Sequence, residues 1–547
     1  MSLAETAPSL ASGRLSTPGA QAAFAVVALG LGTLLLARAA DWLAVWPEAW
    51  TLPATAWVGA GLTAALETVR PAARILSAAL TYPMAWANAA LTGAPWPLVS
   101  GLTLALGWRL GGWRLAALAG AALGFVLASG YWVESMNTLA LVAVSVPLAL
   151  ALGLALGVAA WEAPRARRAI MGTLDVMQVV PTFAYLTPLL LLFGFGPVVG
   201  LIASMIYAAP PMARNTLLGL ERVEPEIREA AKMAGATRRQ QLWSAELPSA
   251  LPQIMVGVNQ CVMAALSMVI IAAVIGGFDD IGWEVLLTMR KAQFGQSLLA
   301  GLVIVAFAVL IDRMTAALRE PGGRGGAWTA LALAVAAMVA AFLPLGDAAS
   351  FAALQPAADA VDAWLSHVTA TYGAALEAVK NGAMFYALLP LRIGFEQAVL
   401  PFTWGFSWTP AMSLWLLAAA TAGAAALAAT GRIAPAAAAL FAAWTLHDGL
   451  TGLPWPAVIG AVSAVAWRAG GTRLALFAGG ALGAILLAGL WDRAMLSLYL
   501  VGAAVAACAA LGGALGLLAA LSGTAWRVLR PVCDTLQTIP LFVFLIP

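Results

Sequence analysis

Charged residues are scarce in this chain of 547 residues. Lys and Arg together number 28 and Asp and Glu number 25, so only 10% of the residues are charged, whereas 62% are hydrophobic. Ordinary soluble domains carry about 25% charged residues, and this composition excludes that class. The formal net charge of +3 is too small to indicate a nucleic-acid partner.

Cysteine and histidine are also rare. Cys261, Cys508 and Cys533 all lie in apolar runs, so no disulfide framework is indicated. His367 and His447 are isolated from other residues at metal-ligand spacing, and we therefore expect neither a metal nor another cofactor. A GxxxxGK[ST] phosphate-binding loop is missing as well, so the chain is not expected to be an enzyme that hydrolyses ATP.

Long apolar runs dominate the sequence instead. They recur at the length of about 20 residues that a helix needs to cross a bilayer. The pattern predicts an all-α polytopic membrane protein with about 15 membrane segments. The predicted spans are 21–40, 95–110, 113–131, 136–160, 173–193, 197–213, 252–275, 297–317, 327–345, 411–430, 434–447, 456–468, 473–490, 495–520 and 532–547.

The basic residues fall mainly on one side of these spans. Arg165, Arg167 and Arg168 share a side with the basic residues of 214–239, whereas Glu134 and Asp279 lie on the opposite side. Arg290 and Lys291 are exceptions to this alternation. Because cytoplasmic loops are enriched in Lys and Arg, the pattern predicts that the segment 219–248 is cytoplasmic.

Two parts of the chain resemble each other. The stretch PWPLVSGLTLALGWRLGGWRL from Pro95 returns as PWPAVIGAVSAVAWRAGGTRL from Pro454, a shift of 359 residues. The same shift aligns Trp132 with Trp491 and Asp175 with Asp534 without a gap. A fixed shift that matches such different residue types predicts a duplication. The predicted topology gives the two copies the same (parallel) orientation.

The repeat also predicts the domain organisation. We expect an N-terminal span with an outer-face amphipathic region over 1–94, a first domain over 95–320, connecting spans and an outer-face segment over 321–453, and an incomplete second domain over 454–547. The sequence stops inside an apolar run that continues in the first copy. Since helix carbonyls and a carboxylate would end at membrane depth, we expect the sequence to be a fragment of a longer protein.

The charge-rich segment EAAKMAGATRRQQLWSAELP interrupts the apolar runs at Glu229. Pro225 suits the first turn of a helix, and Gly235 can end that helix in a left-handed cap. The helical spacing of Ile227, Ala230, Ala231 and Ala234 gives one stripe of small apolar side chains. A solvated loop does not need such a stripe, whereas a helix that docks in a groove of another protein can use it.

This segment resembles the cytoplasmic EAA loop of importer permeases of the ATP-binding-cassette (ABC) class. The matching residues are Glu229, Ala230, Ala231, Gly235, Leu247 and Pro248. Ala245 departs from the pattern, which usually has a branched aliphatic residue there. The stretches DVMQVVPTFAYLTPLLLLFGFGP and LPSALPQIMVGVNQCVMAALSMVIIA are similar to the permeases for glycine betaine, proline and choline, which are quaternary-amine importers.

The resemblance implies two copies of a MetI-like helical permease domain in the bacterial cytoplasmic (inner) membrane. It implies that a separate ABC ATPase binds the segment 219–248 and that an extracytoplasmic binding protein delivers a small quaternary-amine osmoprotectant. Membrane lipid surrounds such a permease. The residues expected to couple it to the ATPase are the six that carry the resemblance.

Polar and aromatic residues inside the spans are candidates for a translocation path, because such groups are costly when they face lipid. We expect this path to involve Gln178, Pro181, Phe183, Tyr185, Asn259, Gln260 and Ser267. The aromatic faces of Phe183 and Tyr185 suit a quaternary ammonium group. The alternative is that the polar groups only hold helices together. For Asp175, an interfacial ion pair with the nearby Arg167 or Arg168 is the simpler interpretation.

Two other functions remain open at this point. A secondary carrier for quaternary amines would use the same polar spans without an ATPase. A regulatory or assembly subunit that transports nothing is a third possibility, which the missing second loop suggests.

Overall fold

The computed structural model of this chain describes residues 40–538 with some gaps. The gaps are 44, 277, 319–325, 344–345, 386–408, 431–434, 437–438, 441–442, 444–446 and 448–452. The predicted span 21–40 therefore lies almost wholly outside the described residues, as does most of 434–447 and the end of 532–547.

All regular elements among the described residues are helical. The longer helices are α1 (Ala54–Gly93), α2 (Trp96–Gly111), α3 (Trp113–Ser129), α4 (Trp132–Glu162), α5 (Pro164–Val179), α6 (Thr182–Phe193), α7 (Pro197–Glu221), α8 (Pro225–Met233), α9 (Arg238–Gln241), α10 (Leu247–Gly276), α11 (Ile281–Arg290), α12 (Phe294–Ala317), α13 (Ala327–Ala340), α14 (Gln355–Ala383), α15 (Pro410–Ala429), α16 (Trp455–Leu487), α17 (Trp491–Leu521) and α18 (Gly523–Thr538). Short 3₁₀ turns occur at Asp41–Leu43, Glu48–Trp50 and Ala348–Phe351.

Six of these helices are long and apolar enough to cross a membrane, or up to eight if each of two bent pairs forms one span. This finding confirms a multi-pass, all-helical membrane protein. The total of about 15 segments stays a prediction.

The predicted span 173–193 is not one straight helix. Val180 is extended between α5 and α6, and these two helices are bent by 101° relative to each other. Pro181 stands directly before α6 and has no backbone N–H with which to continue the hydrogen-bond ladder of α5. The break at Pro181 therefore agrees with the sequence, although the extent of the bend was not expected.

The chain divides into two compact units. The larger unit comprises Thr63–Ala370 with Arg527–Pro547, and the smaller unit comprises Met1–Leu62 with Thr371–Trp526. Helices α1, α14 and α18 each contain a boundary between the units.

The core of the larger unit forms where α4, α7 and α10 pack together. A Cβ atom on Gly153 would lie 2.5 Å from Cβ of Met212, and one on Gly157 would lie 2.6 Å from Cβ of Thr216. Small residues four positions apart thus allow α4 to approach α7 closely, which is a common basis of helix association in membranes.

Polar contacts fix the last part of α1 to this core. Asn88 donates from Nδ2 to Oδ1 of Asn137 at 2.7 Å, and Nδ2 of Asn137 donates to the backbone carbonyl of Asp279 at 2.6 Å. The sequence predicted an amphipathic region within 1–94, and the helix found there is Ala54–Gly93.

The smaller unit has its own apolar cluster around the start of α16. Leu453, Ala457, Val458 and Leu486 are buried there against Trp491 and Met495. Helix α16 is broken near its middle, because Gly471 adopts a positive φ of 71°. The two predicted spans 456–468 and 473–490 correspond to the two sides of this break.

Candidate coupling hairpin and intramembrane polar residues

The segment that resembles the EAA loop forms a helical hairpin. Helix α8 has Pro225 in its first turn and is followed by Gly235, whose φ of +75° is left-handed. The N–H of Ala236 closes the turn by donating to the carbonyl of Ala231 at 3.0 Å. No atom lies within 4 Å of a Cβ placed on Gly235, so backbone conformation alone requires glycine there. The predicted helix and its left-handed end are confirmed.

The second arm of the hairpin begins with a capping box. Thr237 Oγ1 accepts a hydrogen bond from the N–H of Gln240 at 3.4 Å, and Oε1 of Gln240 accepts one from the N–H of Thr237 at 2.8 Å. Helix α9 then passes into a π-helical turn, Leu242–Glu246, which leads directly into α10. We call Pro225–Glu246 the coupling hairpin.

The base of the coupling hairpin contains a buried carboxylate, Glu246. Its Oε1 accepts hydrogen bonds from Nη1 of Arg238 at 2.8 Å and from Nε2 of Gln241 at 3.3 Å. Its Oε2 accepts one from Nε1 of Trp161 at 3.0 Å, and Nε of Arg228 forms an ion pair with Oε1 at 3.4 Å. Glu246 is 0% exposed, so these partners replace its hydration.

The same network fixes the hairpin to the ends of two core helices. The guanidinium of Arg228 lies over the ring of Trp161 at 4.8 Å, and its Nη2 donates to the carbonyl of Leu220 at 2.6 Å. Arg238 also forms an ion pair with Glu162. The hairpin is thereby tied to the carboxyl ends of α4 and α7. Sequence reasoning did not identify Trp161, Glu162 or Glu246, because their positions are distant along the chain from their partners.

The predicted coupling residues differ in exposure. Glu229, Ala230, Gly235 and Pro248 are exposed, whereas Ala231 and Leu247 are half-buried. Ile227, at the start of the predicted stripe, packs against the core of the larger unit.

The stripe is therefore exposed at its end, Ala234, and half-buried at its start, Ile227. Two large side chains outside the stripe, Met233 and Trp243, increase the apolar surface of the hairpin. Met233 is 83% exposed and Trp243 is 61% exposed. An exposed apolar area on a charged hairpin is typical of a protein contact.

A row of polar side chains lies between α7 and α10. Nη1 of Arg222 donates to Oε1 of Gln253 at 3.1 Å, and Nε2 of Gln253 donates to Oδ1 of Asn215 at 2.6 Å. Nδ2 of Asn215 then donates to Oε1 of Gln260 at 2.8 Å. We call Arg222, Gln253, Asn215 and Gln260 the amide ladder. Of these four residues, the sequence identified only Gln260.

The other predicted path residues do not join the amide ladder. Asn259 donates from Nδ2 to Oδ1 of Asp312 at 3.1 Å, and Ser267 donates to the carbonyl of Met263 in its own helix at 3.0 Å. Tyr185 lies half-buried in α6 and packs against the core of the larger unit.

The remaining predicted residues lie at the break between α5 and α6. Gln178 is exposed near the end of α5, and Pro181 is exposed at the break. The side chain of Phe183 lies outside the described residues. Among the described side chains, no hydrogen bond joins two of these predicted path residues to each other. Their common role in a path stays a prediction.

The partner of Asp175 also differs from the expectation. Its Oδ1 lies 2.5 Å from Nη2 of Arg214 on α7, and Arg167 instead pairs with Glu221. The expected ion pair at Asp175 therefore exists, but with an arginine from another helix. Within the described parts of the chain, no group of three or more His, Cys, Asp or Glu side chains could hold a metal ion.

Comparison with known proteins gives a consistent set of relatives. The family described as "binding-protein-dependent transport system inner membrane component" matches residues 149–320. The glycine betaine/proline betaine transport system permease protein of Escherichia coli is 34% identical over 275 residues, covering 50% of this chain and 77% of the relative. The glycine betaine transport system permease protein of Bacillus subtilis is 36% identical over 236 residues, covering 42% and 83%.

A longer alignment joins this chain to the trimethylamine N-oxide transport system permease protein of Ruegeria pomeroyi. The two are 32% identical over 457 residues, which is 83% of this chain and 63% of the relative. The corresponding protein of Pelagibacter ubique is 30% identical, with 84% and 59% covered. The chain thus spans less than two thirds of the length of these two relatives.

Proposed function

Because the chain belongs to the inner membrane components of binding-protein-dependent transport systems, we propose that it is the permease subunit of an ATP-driven importer for glycine betaine, proline betaine, choline and similar osmoprotectants. The observation that carries this proposal is its identity of 34% and 36% with two glycine betaine permeases, over 77% and 83% of their lengths. The membrane is the bacterial inner membrane.

The coupling hairpin is proposed to receive a cytoplasmic ABC ATPase. Its exposed Glu229, Ala230 and Gly235, with Ala231 beside them, form the contact, and Leu247 and Pro248 connect it to α10. The buried Glu246 network supports this role, because it fixes the base of the hairpin to α4 and α7. A displacement of the hairpin by the ATPase would then move those helices as well.

The proposed substrate class rests on the names of the relatives. They are described as permeases for glycine betaine, proline betaine, carnitine, choline or trimethylamine N-oxide. These solutes share a methylated nitrogen that carries positive charge. A separate extracytoplasmic binding protein is proposed to deliver them.

For the translocation path we keep the seven predicted residues and add Asn215 and Gln253 of the amide ladder. The seven are Gln178, Pro181, Phe183, Tyr185, Asn259, Gln260 and Ser267. Neutral amides can hydrogen-bond the oxygen of a betaine or an N-oxide without forming an ion pair that would hold it. This property suits residues that a solute contacts only briefly.

The duplication is also part of the proposal. Helix bounds recur at the shift of 359 residues: α4 and α17 are Trp132–Glu162 and Trp491–Leu521, and α5 and α18 begin at Pro164 and Gly523. Gly112 and Gly471, which are related by the same shift, both have φ of 71°. These agreements support two parallel MetI-like copies and the domain limits 1–94, 95–320, 321–453 and 454–547.

The test is uptake of labelled glycine betaine into proteoliposomes that contain this chain with its ATPase, in the presence of the binding protein. We expect uptake to require ATP, and we expect Gly235→Pro and Ala231→Glu to abolish stimulation of the ATPase while membrane insertion is retained. Glu377→Gln, at an exposed residue of α14 outside the coupling hairpin, is the control. Unchanged ATP-driven uptake in both variants would remove the coupling role.

The alternative of a secondary carrier makes the opposite prediction. It requires uptake by this chain alone when only an ion gradient is applied. ATP-independent uptake under that condition would replace the present proposal.

A further inference from the structure

Two short segments of similar construction precede the two proposed permease copies. Cap 1 comprises residues 40–43 and 45–53 and contains the 3₁₀ turn Glu48–Trp50. Cap 2 comprises residues 346–354 and contains the 3₁₀ turn Ala348–Phe351. A long helix follows each cap, α1 after cap 1 and α14 after cap 2.

Cap 1 lies on the second copy, within the smaller unit. Nε1 of Trp455 donates to the carbonyl of Trp42 at 3.1 Å, and the N–H of Leu52 donates to the carbonyl of Leu487 at 2.7 Å. The ring of Trp455 also contacts the rings of Trp42 and Trp46, with centroids 6.3 Å and 5.4 Å apart.

Cap 2 lies on the first copy, within the larger unit. Nε1 of Trp96 donates to the carbonyl of Gly346 at 3.3 Å, and the N–H of Leu354 donates to the carbonyl of Ala128 at 2.8 Å. The ring of Trp96 contacts the ring of Phe351 edge to face, with centroids 5.3 Å apart.

The positions that receive the caps are equivalent in the two copies. The shift of 359 relates Trp96 to Trp455 and Ala128 to Leu487, so each cap meets the same indole N–H and the same backbone carbonyl.

The shift also relates Gly130 to Gly489, and both glycines have positive φ, 78° and 68°. A Cβ on Gly130 would lie 2.8 Å from Cβ of Ala352 in cap 2, and a Cβ on Gly489 would lie 3.3 Å from Cγ2 of Thr51 in cap 1. Three matched contacts therefore define one binding surface that occurs twice.

From this crossed pairing we propose that the two repeats exchange their caps: the segment that precedes the first copy closes the second copy, and the segment that precedes the second copy closes the first. The inference rests on the duplication in the proposed function. The two caps differ in sequence, so the exchange involves similar elements rather than identical ones and resembles domain swapping between two copies of a fold.

Cysteine cross-linking tests the exchange directly in the full chain. The amide-to-carbonyl hydrogen bonds hold the Cα atoms of Leu52 and Leu487, and those of Leu354 and Ala128, within roughly 6 Å, which a disulfide or a short thiol reagent can bridge. The background carries Cys261→Ala, Cys508→Ser and Cys533→Ser. A protease site is inserted between residues 318 and 326, so that cleavage separates the two copies.

The exchanged pairs are Leu52→Cys with Leu487→Cys, and Leu354→Cys with Ala128→Cys. We expect both pairs to keep the cleaved halves joined at monomer mass on a non-reducing gel. The matched controls recombine the same four positions as Leu52→Cys with Ala128→Cys, and Leu354→Cys with Leu487→Cys. Both cysteines of each control pair lie in the same half, so the halves separate in either case and mass spectrometry is the readout. We expect it to find no linked peptide in these controls.

Linked peptides in the control pairs would overturn the exchange while leaving the duplication intact. Failure of the exchanged pairs to link although all thiols react with maleimide would also overturn it, as would linkage only between two molecules. Loss of ATP-driven uptake is a separate result, because it concerns the transport function and does not alter the cross-linking pattern.

Discussion

The indole of Trp161 at the end of α4 and the carboxylate of Glu246 before α10 are joined by a hydrogen bond of 3.0 Å. These residues are 85 positions apart in the chain. Their contact attaches the charge-rich hairpin to the end of α4 at the point where the hairpin leads into α10.

We expect Glu246→Ala to loosen this hairpin. Removal of one partner from a buried ion pair costs about 3–5 kcal/mol, and about half of that is a better expectation here because Arg238 is partly exposed. The measurement is hydrogen exchange of 225–246 together with the apparent Tm in detergent. Glu226→Gln in the same hairpin should leave both unchanged. Unaltered exchange in Glu246→Ala would show that the network does not hold the hairpin.

Close packing of α4 on α7 gives a second prediction. Gly157→Ala places a Cβ 2.6 Å from Cβ of Thr216 and 2.7 Å from the carbonyl of Ala213, so the helices must move apart. We expect a loss of about 1–3 kcal/mol in stability, measured as a lower apparent Tm.

Gly172→Ala is the matched control for this change, because nothing lies within 4 Å of the added Cβ and alanine favours α5 as a helix. Equal Tm values for the two variants would contradict the packing argument.

Asp280 in the loop before α11 gives a prediction about pH. Burial raises the pKa of Asp280 to about 7, an effect that the N–H groups of Trp283 and Gly282 oppose and the charge of Asp279 reinforces. The pKa of Asp280 in the folded protein exceeds its ordinary value of 3.8, so the protonated side chain favours the folded state. This contribution to the free energy of unfolding is complete below pH 3.8 and is lost as the pH rises to about 7.

Asp280→Asn should therefore raise the apparent Tm more at pH 8 than at pH 5. Asparagine can still accept the capping hydrogen bond from the N–H of Trp283, which measures 2.9 Å in the native protein. Asp492→Asn, at an exposed position of α17, should show no such dependence. A gain in Tm that is equal at the two pH values would contradict the assignment.

The amide ladder predicts different effects on transport for two of the predicted path residues, Gln260 and Ser267. Gln260→Leu leaves the amide of Asn215 without one of its partners, and we expect at least a tenfold fall in uptake of glycine betaine. Ser267→Ala should change uptake less than twofold, because that hydroxyl donates within its own helix. The comparison uses proteoliposomes with equal amounts of inserted protein. Similar losses in both variants would indicate that the ladder has no special part in transport.

Local features of the hairpin could be predicted from sequence, since Pro225 and Gly235 act through backbone geometry at their own positions. The bilayer-length helices could also be predicted, because a long apolar run is recognisable in the sequence without knowledge of its partners.

Pairings across helices could not be predicted in this way. Glu246 lies in a charge-rich stretch that indicates a solvated face, and only the folded chain places Trp161 and two arginines around it. Asp175 pairs with Arg214, 39 positions away, rather than with the arginines nearest in sequence. Periodicity reveals which face of a helix is apolar, but it does not reveal which polar residues of other helices meet that face.

The π-helical turn Leu242–Glu246 sets the angle of the hairpin about the axis of α10. A π turn holds one residue more than the α-helical turn that could replace it. Deletion of a single residue from this turn would rotate everything before it by about 100° and swing Arg238 away from Glu162. One surplus residue thus determines the direction in which the exposed arm of the hairpin projects from α10.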